Sequence, residues 1–193
     1  AGRADEINTC IACNQACLDH AFSNRMSSCL VNPRACFETD LVIRVAPAVQ
    51  RLAVAGAGPA GLAAATTLAE RGHEVHLYDA APCIGGQFNM AKRIPGKEEF
   101  AETLRYFERR IEVTGVTLHL GTRVDVDRLR AMAFDQVILA TGVLPRDPHI
   151  PGQDHPKVLS YIDVLLHRKP VGQRVAVVGA GGIGFDVAEY LAH

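Results

Sequence analysis

The sequence has almost no net charge and no long apolar run. Its 193 residues include 20 Lys and Arg against 21 Asp and Glu, which gives a formal net charge of −1. Nucleic-acid-binding proteins carry a basic surface, so this balance argues against a nucleic-acid partner. No stretch approaches the roughly 18 consecutive apolar residues of a membrane span, and none has the pattern of a signal peptide. We therefore expect a soluble, cytoplasmic protein with neither a membrane nor a nucleic acid as partner.

Cysteine is absent after Cys83, although the chain has six cysteines in all. Disulfide reductases need a pair of redox-active cysteines beside their cofactor, and this distribution leaves no such pair in the second half of the chain. The hydrophobic fraction of 48% and the charged fraction of 21% are ordinary for a folded domain, which excludes wholesale disorder.

Four of the cysteines form a C-x2-C-x3-C-x11-C run, namely Cys10, Cys13, Cys17 and Cys29. Three thiolates within eight residues suit a [4Fe–4S] cubane, which takes one ligand at each of its four iron corners. Zinc prefers two separated C-x2-C pairs or Cys/His mixtures and is the second possibility. Disulfides in a chain without a signal peptide are the third. We predict a short, irregular [4Fe–4S]-binding segment over residues 1–46.

Two further cysteines and one histidine have side chains of a metal-binding type. We predict that Cys36 and Cys83 are buried small apolar side chains rather than ligands. His20 is predicted to be a surface histidine.

A nucleotide-binding pattern begins with the apolar run Leu52–Ala55, which predicts a buried parallel strand. The run leads into the glycine-rich turn Gly56-Ala57-Gly58-Pro59-Ala60-Gly61, an alanine-rich helix through Glu70 and a second strand, Val75–Tyr78. The three glycines of such a turn make the tight bend, admit a pyrophosphate and let the helix pack on the strand. Pro59 begins the helix, whose N-terminus offers free amides to phosphate, and Asp79 is placed to bind a ribose diol. These features predict an α/β, Rossmann-like domain with a parallel sheet over residues 47–152.

Further elements are predicted within this unit. An apolar stripe predicts a helix over Lys97–Thr114, and two apolar runs, Val116–Leu120 and Val124–Val126, predict a small pair of strands. Another strand leads into Ala140-Thr141-Gly142. Arg93 and Lys97 could reach phosphate oxygens, but they are predicted to be solvated surface charges.

The glycine pattern is repeated near the C-terminus. The run Arg174–Val178 predicts a strand that leads into Gly179-Ala180-Gly181-Gly182-Ile183-Gly184 and the start of a helix. A repeat of this kind indicates a second dinucleotide, so residues 153–193 are predicted to begin an NAD(P)H-binding domain. The residue that separates NAD from NADP lies about 20 residues beyond the glycines, past His193. Because the chain begins at Ala1 and stops early in this unit, we expect it to be an internal part of a longer protein.

Taken in order, the motifs of this chain resemble those of the bacterial NADPH-dependent 2,4-dienoyl-CoA reductases, in the wider group that includes trimethylamine dehydrogenase. The resemblance covers almost the whole chain. Besides the cysteine run and the two glycine turns, it rests on Asn32-Pro33-Arg34, Gly85-Gly86-Gln87-Phe88, Ile94-Pro95-Gly96-Lys97 and Ala140-Thr141-Gly142. Members of this family also have an FMN-bearing barrel, which would precede the present residues.

The resemblance implies an enzyme that passes electrons from NADPH to FAD, then to the [4Fe–4S] cluster and then to FMN, where an unsaturated acyl-CoA is reduced. A nicotinamide moves two electrons as hydride, the cluster moves one and a flavin can do either, so flavins flank the cluster. The resemblance assigns no catalytic proton-transfer residue to this chain. The implied cluster ligands are Cys10, Cys13, Cys17 and Cys29; the implied FAD contacts are Gly56, Gly58, Pro59, Ala60, Gly61, Asp79, Gly86, Gln87, Val124, Thr141 and Gly142; the implied NADPH contacts are Gly179, Gly181 and Gly184.

Two other functions remain open at this point. The small electron-input subunit of a glutamate-synthase-like complex also combines cysteines with FAD and NADPH, but has a longer cysteine-rich head. A zinc-stapled nucleotide-binding module would have no enzymatic activity. Metal content separates this module from the iron–sulfur proteins, because thiolate-bound iron is coloured and zinc is not.

Overall fold

The computed structural model describes residues 2–193, which form a parallel four-stranded sheet with helices around it. The strands are β1 (Arg51–Ala55), β2 (Glu74–Tyr78), β3 (Thr117–His119) and β4 (Gln136–Leu139). The α-helices are α1 (Leu18–Phe22), α2 (Pro59–Glu70), α3 (Phe88–Ala91), α4 (Phe100–Thr114), α5 (Val126–Ala131), α6 (Tyr161–Leu165) and α7 (Gly182–Ala192). A single 3-10 helical turn, Ala4–Glu6, precedes α1. Within residues 2–193, no helix has the length and apolar character needed to cross a membrane.

The strand order β3-β2-β1-β4 places β1 in the middle of the sheet. Leu52 pairs with Val75 of β2 on one side and with Gln136 of β4 on the other, both in parallel register. Residues 52–55 are at most 3% exposed, because a central parallel strand is covered on both faces. The predicted α/β fold with a parallel sheet is confirmed.

The main core lies between the sheet and the pair of helices α2 and α4. Leu62 of α2 and Leu77 of β2 are fully buried there, and Phe107 of α4 is 8% exposed. Burial of a side chain of this size contributes about 1.5–3 kcal/mol. The apolar stripe predicted for α4 is therefore core, as expected, although the helix begins at Phe100 rather than Lys97.

Of the two strands predicted after α4, the first forms and the second, Val124–Val126, does not. Only Thr117–His119 forms a strand, and it pairs in parallel with β2 rather than with its sequence neighbour. Val126 begins helix α5, because the Asp125 carboxylate accepts a 2.8 Å hydrogen bond from the amide of Arg128 and so caps the helix N-terminus.

The strand predicted over Arg174–Val178 is also absent from the described structure. Residues 174–178 pair with no strand, and Val178 is 84% exposed. A strand needs a neighbour to satisfy its backbone amides and carbonyls, and none of the four strands lies beside this run. The helix predicted after it forms as α7.

The cysteine-rich segment is irregular, as predicted, and is tied to α4 by arginines. The guanidinium of Arg105 donates to the carbonyl oxygens of Asp5 (2.8 Å) and Ile7 (3.0 Å). The Arg109 guanidinium forms an ion pair with Asp5 at 2.9 Å. These contacts dock the segment onto the helical face of the sheet domain.

Candidate functional site

Two glycines of the turn between β1 and α2, Gly56 and Gly61, occupy positions with no room for a side chain. Gly56 has a φ of 109°, and a Cβ at this position would overlap the carbonyl oxygen of Ala140. A Cβ on Gly61 would overlap the carbonyl oxygen of Gly56. Around Gly58, by contrast, no heavy atom lies within 4 Å of the place a Cβ would take. The first and last glycines therefore close the turn, and the middle one borders open space.

The open space lies at the N-terminus of α2. Pro59 is the first residue of the helix, Gly58 is its N-cap, and no side chain caps the first turn. The first amides of a helix have no partner within it and carry the positive end of the helix dipole. The amides that follow Pro59 are thus available to an anion, and the site fits the pyrophosphate of a dinucleotide.

Asp79 stands at the end of β2 and is held in place by two backbone amides. Its Oδ2 accepts a 2.6 Å hydrogen bond from the amide of Ala57, and its Oδ1 accepts a 2.7 Å bond from the amide of Ala81. Asp79 remains partly exposed. A carboxylate oxygen has two lone pairs, so each oxygen can still accept a hydrogen bond from a ribose hydroxyl.

Gly86 and Gln87 close the other side of the same space. The amide of Gly85 donates to the carbonyl oxygen of Ala57 at 2.8 Å, which pins this loop against the first turn. A Cβ on Gly86 would lie 3.1 Å from the Cα of Gly58. Gln87 is exposed and begins α3 as its N-cap. The structure therefore brings Gly56, Gly58, Gly61, Asp79 and Gly86 to one edge of the sheet, and we call this group the first cradle.

The remaining predicted flavin contacts lie on two loops near this edge. Ala140 follows β4, and its amide donates to the carbonyl oxygen of Ala55 at 2.8 Å; Thr141 and Gly142, which come next, are exposed. Val124 is partly buried in the loop after β3. That loop is joined to Asp79 through the amide of Thr122, which donates to the Asp79 carbonyl at 2.8 Å.

The second glycine turn repeats the geometry of the first. Gly179 has a φ of 120°, and a Cβ on Gly184 would overlap the Gly179 carbonyl oxygen. Gly181 is the N-cap of α7, no side chain caps that helix, and nothing lies within 4 Å of the position of a Gly181 Cβ. Gly179, Gly181 and Gly184 therefore form a second cradle.

Two residues important to the first cradle were missed in the sequence. Ala57 is fully buried and supplies the amide that orients Asp79, and Ala140 fills the space beneath Gly56 and Gly61. Both are small residues beside motif glycines, and that small size is the only sign of their role in the sequence.

Arg93 and Lys97 are not the solvated surface charges predicted. The Arg93 guanidinium donates to the carbonyl oxygen of Leu166 at 3.0 Å and also to that of Leu165. The Lys97 ammonium contacts both carboxylate oxygens of Asp186, at 2.6 and 2.7 Å. Long-range contacts of this kind leave no mark on the local sequence.

The four cysteines predicted to bind a cluster have free thiols. The amide of Ala12 donates to the sulfur of Cys10 at 3.3 Å, and Ala12 and Asn14 have φ values of 54° and 56°, which curl the loop back on itself. Four cysteine thiols, one of them accepting a backbone amide, are the kinds of donor that an iron–sulfur cluster uses. Within residues 2–193, however, no three His, Cys, Asp or Glu side chains form a group that could hold a metal.

The predictions for the other cysteines are wrong. Cys36 and Cys83 are both exposed rather than buried. The Cys36 backbone has a φ of 65°, which places it in an irregular turn outside any core, and the side-chain amide of Asn89 (Nδ2) donates to the Cys83 sulfur at 3.7 Å. His20 is partly exposed, and its Nδ1 lies 3.0 Å from the carbonyl oxygen of Met26.

A row of aromatic rings covers the face of the sheet opposite α2 and α4. His119 stacks on Tyr78 with ring centroids 4.4 Å apart, and its Nε2 lies 3.1 Å from Nδ1 of His76. Burial, followed by the charges of His76 and Arg128, lowers the pKa of His119 below its ordinary value of 6.5. His76 in turn lies 2.9 Å from a carboxylate oxygen of Glu74, and this contact with His76 is the main cause of the lowered pKa of Glu74. These rings pack against one another on the face of the sheet opposite the main core.

Comparison with known proteins agrees with this geometry. The chain is 37% identical to an NADH oxidase of Thermoanaerobacter brockii, over 99% of this chain and 30% of that protein. It is 35% identical to a metal reductase of Desulforamulus reducens, over 99% of this chain and 29% of that protein. The solved structure of a 2-naphthoyl-CoA reductase in complex with 2-naphthoyl-CoA superposes with a TM-score of 0.95 at 36% identity, over 99% of this chain and 29% of that one.

These comparisons also show what part of a larger protein is present. The chain spans only 29–30% of the length of these three proteins. Residues 50–193, which include both cradles, match the family model described as pyridine nucleotide-disulphide oxidoreductase. Membership of that family implies binding of FAD and NAD(P), which is what two cradles on one chain accommodate. The chain belongs to the pyridine nucleotide-disulphide oxidoreductase family, as a flavoprotein oxidoreductase module.

Proposed function

We propose that this chain is the electron-input part of a cytoplasmic, NADPH-dependent iron–sulfur flavoprotein that reduces 2,4-dienoyl-CoA. The observation that carries the proposal is the presence of two open cradles and a four-cysteine loop on one chain. Six free thiols are also what a reducing compartment maintains.

The first cradle would hold FAD. The free amides of α2 would bind the pyrophosphate beside Gly58, and the Asp79 carboxylate would accept hydrogen bonds from the adenosine ribose. Gln87, Val124, Thr141 and Gly142 would add contacts from the loops around this edge.

The second cradle would hold NADPH, with its pyrophosphate beside Gly181 at the N-terminus of α7. The loop of Cys10, Cys13, Cys17 and Cys29 would hold the [4Fe–4S] cluster through four thiolates. When bound, FAD would accept a hydride from NADPH and release single electrons to the cluster and on to the FMN of a preceding barrel.

The substrate assignment rests on the family resemblance and on one relative. The similar solved structure is that of an enzyme bound to an unsaturated aromatic acyl-CoA, and an unsaturated acyl-CoA is also the substrate that the resemblance implies. The other relatives act on different compounds by their names. We infer that the substrate is chosen by parts of the protein beyond these residues, and that this module supplies electrons.

The decisive experiment is anaerobic purification of the full-length protein followed by cofactor analysis. We expect FAD and FMN, four iron and four sulfide per chain by the [4Fe–4S] assignment, and broad visible absorbance from thiolate-bound iron. Stopped-flow mixing with NADPH should bleach the flavin faster than mixing with NADH does. Zinc in place of iron, or a flavin that neither nicotinamide reduces, would overturn the proposal.

The substrate is tested separately by NADPH oxidation with a 2,4-dienoyl-CoA, with 2-naphthoyl-CoA and with a saturated acyl-CoA as control. Turnover with the dienoyl thioester above the other two supports the assignment. Turnover with 2-naphthoyl-CoA alone would show that the assigned substrate is wrong, but it would still support the electron-input function.

A further inference from the structure

The two cradles are joined by a small apolar cluster that is separate from the main core. Ile94, in the turn after α3, is 1% exposed and packs with Leu165 of α6 and Val187 of α7. Met90 and Tyr190 pack at its margin. The cluster therefore connects the segment that follows Gly86 and Gln87 with the helix that begins at the second cradle.

A single ion pair lies beside this cluster and spans the same two elements. The ammonium of Lys97 is 2.6 Å from Oδ1 and 2.7 Å from Oδ2 of Asp186, so it contacts the whole carboxylate. The side chains are 39% and 30% exposed, respectively, so the contact is partly shielded from solvent. Among residues 2–193 it is the one salt bridge formed between α7 and another part of the chain.

Both members of the pair are close in sequence to a cradle. Lys97 ends the turn that leads from Gly86 through α3, and Asp186 lies in the second turn of α7, just after Gly184. Movement of Asp186 therefore moves the N-terminus of α7, where the second dinucleotide would bind. The Arg93 contacts to the carbonyl oxygens of Leu165 and Leu166 secure α6 to the same segment.

Hydride transfer between two bound dinucleotides would depend on how precisely the two cradles are placed relative to each other. Reacting atoms must approach to about 3–3.5 Å, and a misplacement of about 1 Å can lower a rate by about 100-fold. Two domains of one chain that share a small interface move relative to each other by default. Apolar contacts have no preferred direction, so the cluster alone lets α7 rotate or slide against the segment after α3. An ion pair at the edge of the cluster restricts both movements.

On this basis we propose that Lys97 and Asp186 are positioning residues that fix the second cradle relative to the first for hydride transfer between their dinucleotides. The inference rests on the proposed function, in which the two cradles hold FAD and NADPH. Neither residue contacts the reacting atoms, and both act through the placement of α7.

The test uses full-length holoprotein carrying Lys97→Met, Asp186→Asn, or the charge-exchanged double variant Lys97→Asp with Asp186→Lys. Each single variant should lower the limiting rate of flavin reduction by NADPH about 10-fold, which is the loss expected when the two dinucleotides are misplaced by less than about 1 Å. Flavin content and the NADPH Kd should change by less than about 3-fold. The double variant should recover most of the lost rate, because the pair is restored with opposite polarity. Lys92→Met is the matched control, since Lys92 lies on the same segment and has no carboxylate partner among residues 2–193.

A second measurement does not depend on activity. Amide hydrogen exchange in α7 should be about 10-fold faster in Lys97→Met than in the wild type, while exchange in α2 stays the same. Unchanged exchange in α7 together with an unchanged limiting rate would overturn the inference. If neither NADPH nor NADH reduces the wild-type flavin, the proposed function fails. The rate of amide exchange in α7 then decides by itself whether the ion pair of Lys97 with Asp186 holds α7 in place.

Discussion

The backbone amide of Ala57 donates a 2.6 Å hydrogen bond to Oδ2 of Asp79, and this bond joins the first glycine turn to the end of the neighbouring strand. It holds the carboxylate beside the space above Gly58 and directs its second oxygen to Ala81. The part of the first cradle that would bind a ribose is thus built before any ligand arrives. Preorganisation of this kind reduces the entropic cost of binding.

Replacement of Asp79 should weaken flavin binding. Asp79→Ala removes the acceptor for the ribose and leaves the Ala57 amide unpaired, so FAD affinity should fall by about 1–3 kcal/mol. The measurement is the FAD Kd by fluorescence titration of the apoprotein. Asp135→Ala is the control, because Asp135 also accepts a backbone amide, that of Arg51 at 2.7 Å, but does so at the opposite end of β1. Equal loss of affinity in the two variants would show that Asp79 acts only through the fold.

Two glycines of the same turn should respond differently to alanine. A Cβ on Gly61 would overlap backbone, so Gly61→Ala should lower the free energy of unfolding by about 1–3 kcal/mol. A Cβ on Gly58 would enter open space, so Gly58→Ala should leave unfolding nearly unchanged but reduce FAD affinity. Urea unfolding of the apoproteins and flavin titration measure the two effects. A stable Gly61→Ala variant would contradict the packing described here.

The stability of the sheet domain should fall as the pH drops below about 6.5 because of His119. Burial lowers the pKa of this histidine in the folded state, so the unfolded chain binds a proton that the folded chain does not, and acid favours unfolding. His119→Phe keeps a ring stacked on Tyr78 and removes the titration, so its unfolding free energy should depend less on pH between about 7.5 and 5.5.

His149→Asn serves as the control for this pH dependence, since the His149 side chain is 84% exposed. It should show the pH dependence of the wild type in the same urea titrations. A His119→Phe variant as sensitive to acid as the wild type would place the titrating group elsewhere.

The four-cysteine loop should matter for electron output and not for electron input. Under the proposed function, Cys13→Ser in the full-length protein should abolish NADPH-driven reduction of the substrate while NADPH still reduces the FAD. Cys36→Ser, an exposed cysteine outside the run, should leave both reactions intact. Stopped-flow flavin reduction and steady-state turnover measure the two steps, and equal loss of both in Cys13→Ser would exclude a relay through the cysteines.

Local motifs in the sequence were sufficient to predict the first cradle. An apolar run followed by Gly56, Gly58 and Gly61 specifies a strand, a turn and a helix because the restrictions are steric and act between near neighbours. The Asp79 position follows from the length of that unit. The same reasoning predicted the second cradle and α7. It also predicted a strand over residues 174–178, which does not form because no strand of the described structure lies beside these residues.

Features that depend on contact between distant residues were decided by the tertiary structure. β3 pairs with β2 and not with the chain that follows it, because pairing depends on which strand lies alongside. Cys36 and Cys83 are exposed although small thiols are commonly buried, and Lys97 meets Asp186 across 89 positions of sequence. The sequence by itself determined which segments could bind a dinucleotide, since that ability lies in local backbone geometry. The tertiary structure alone decided how the two cradles are joined, since an ion pair forms only where folding brings its charges together.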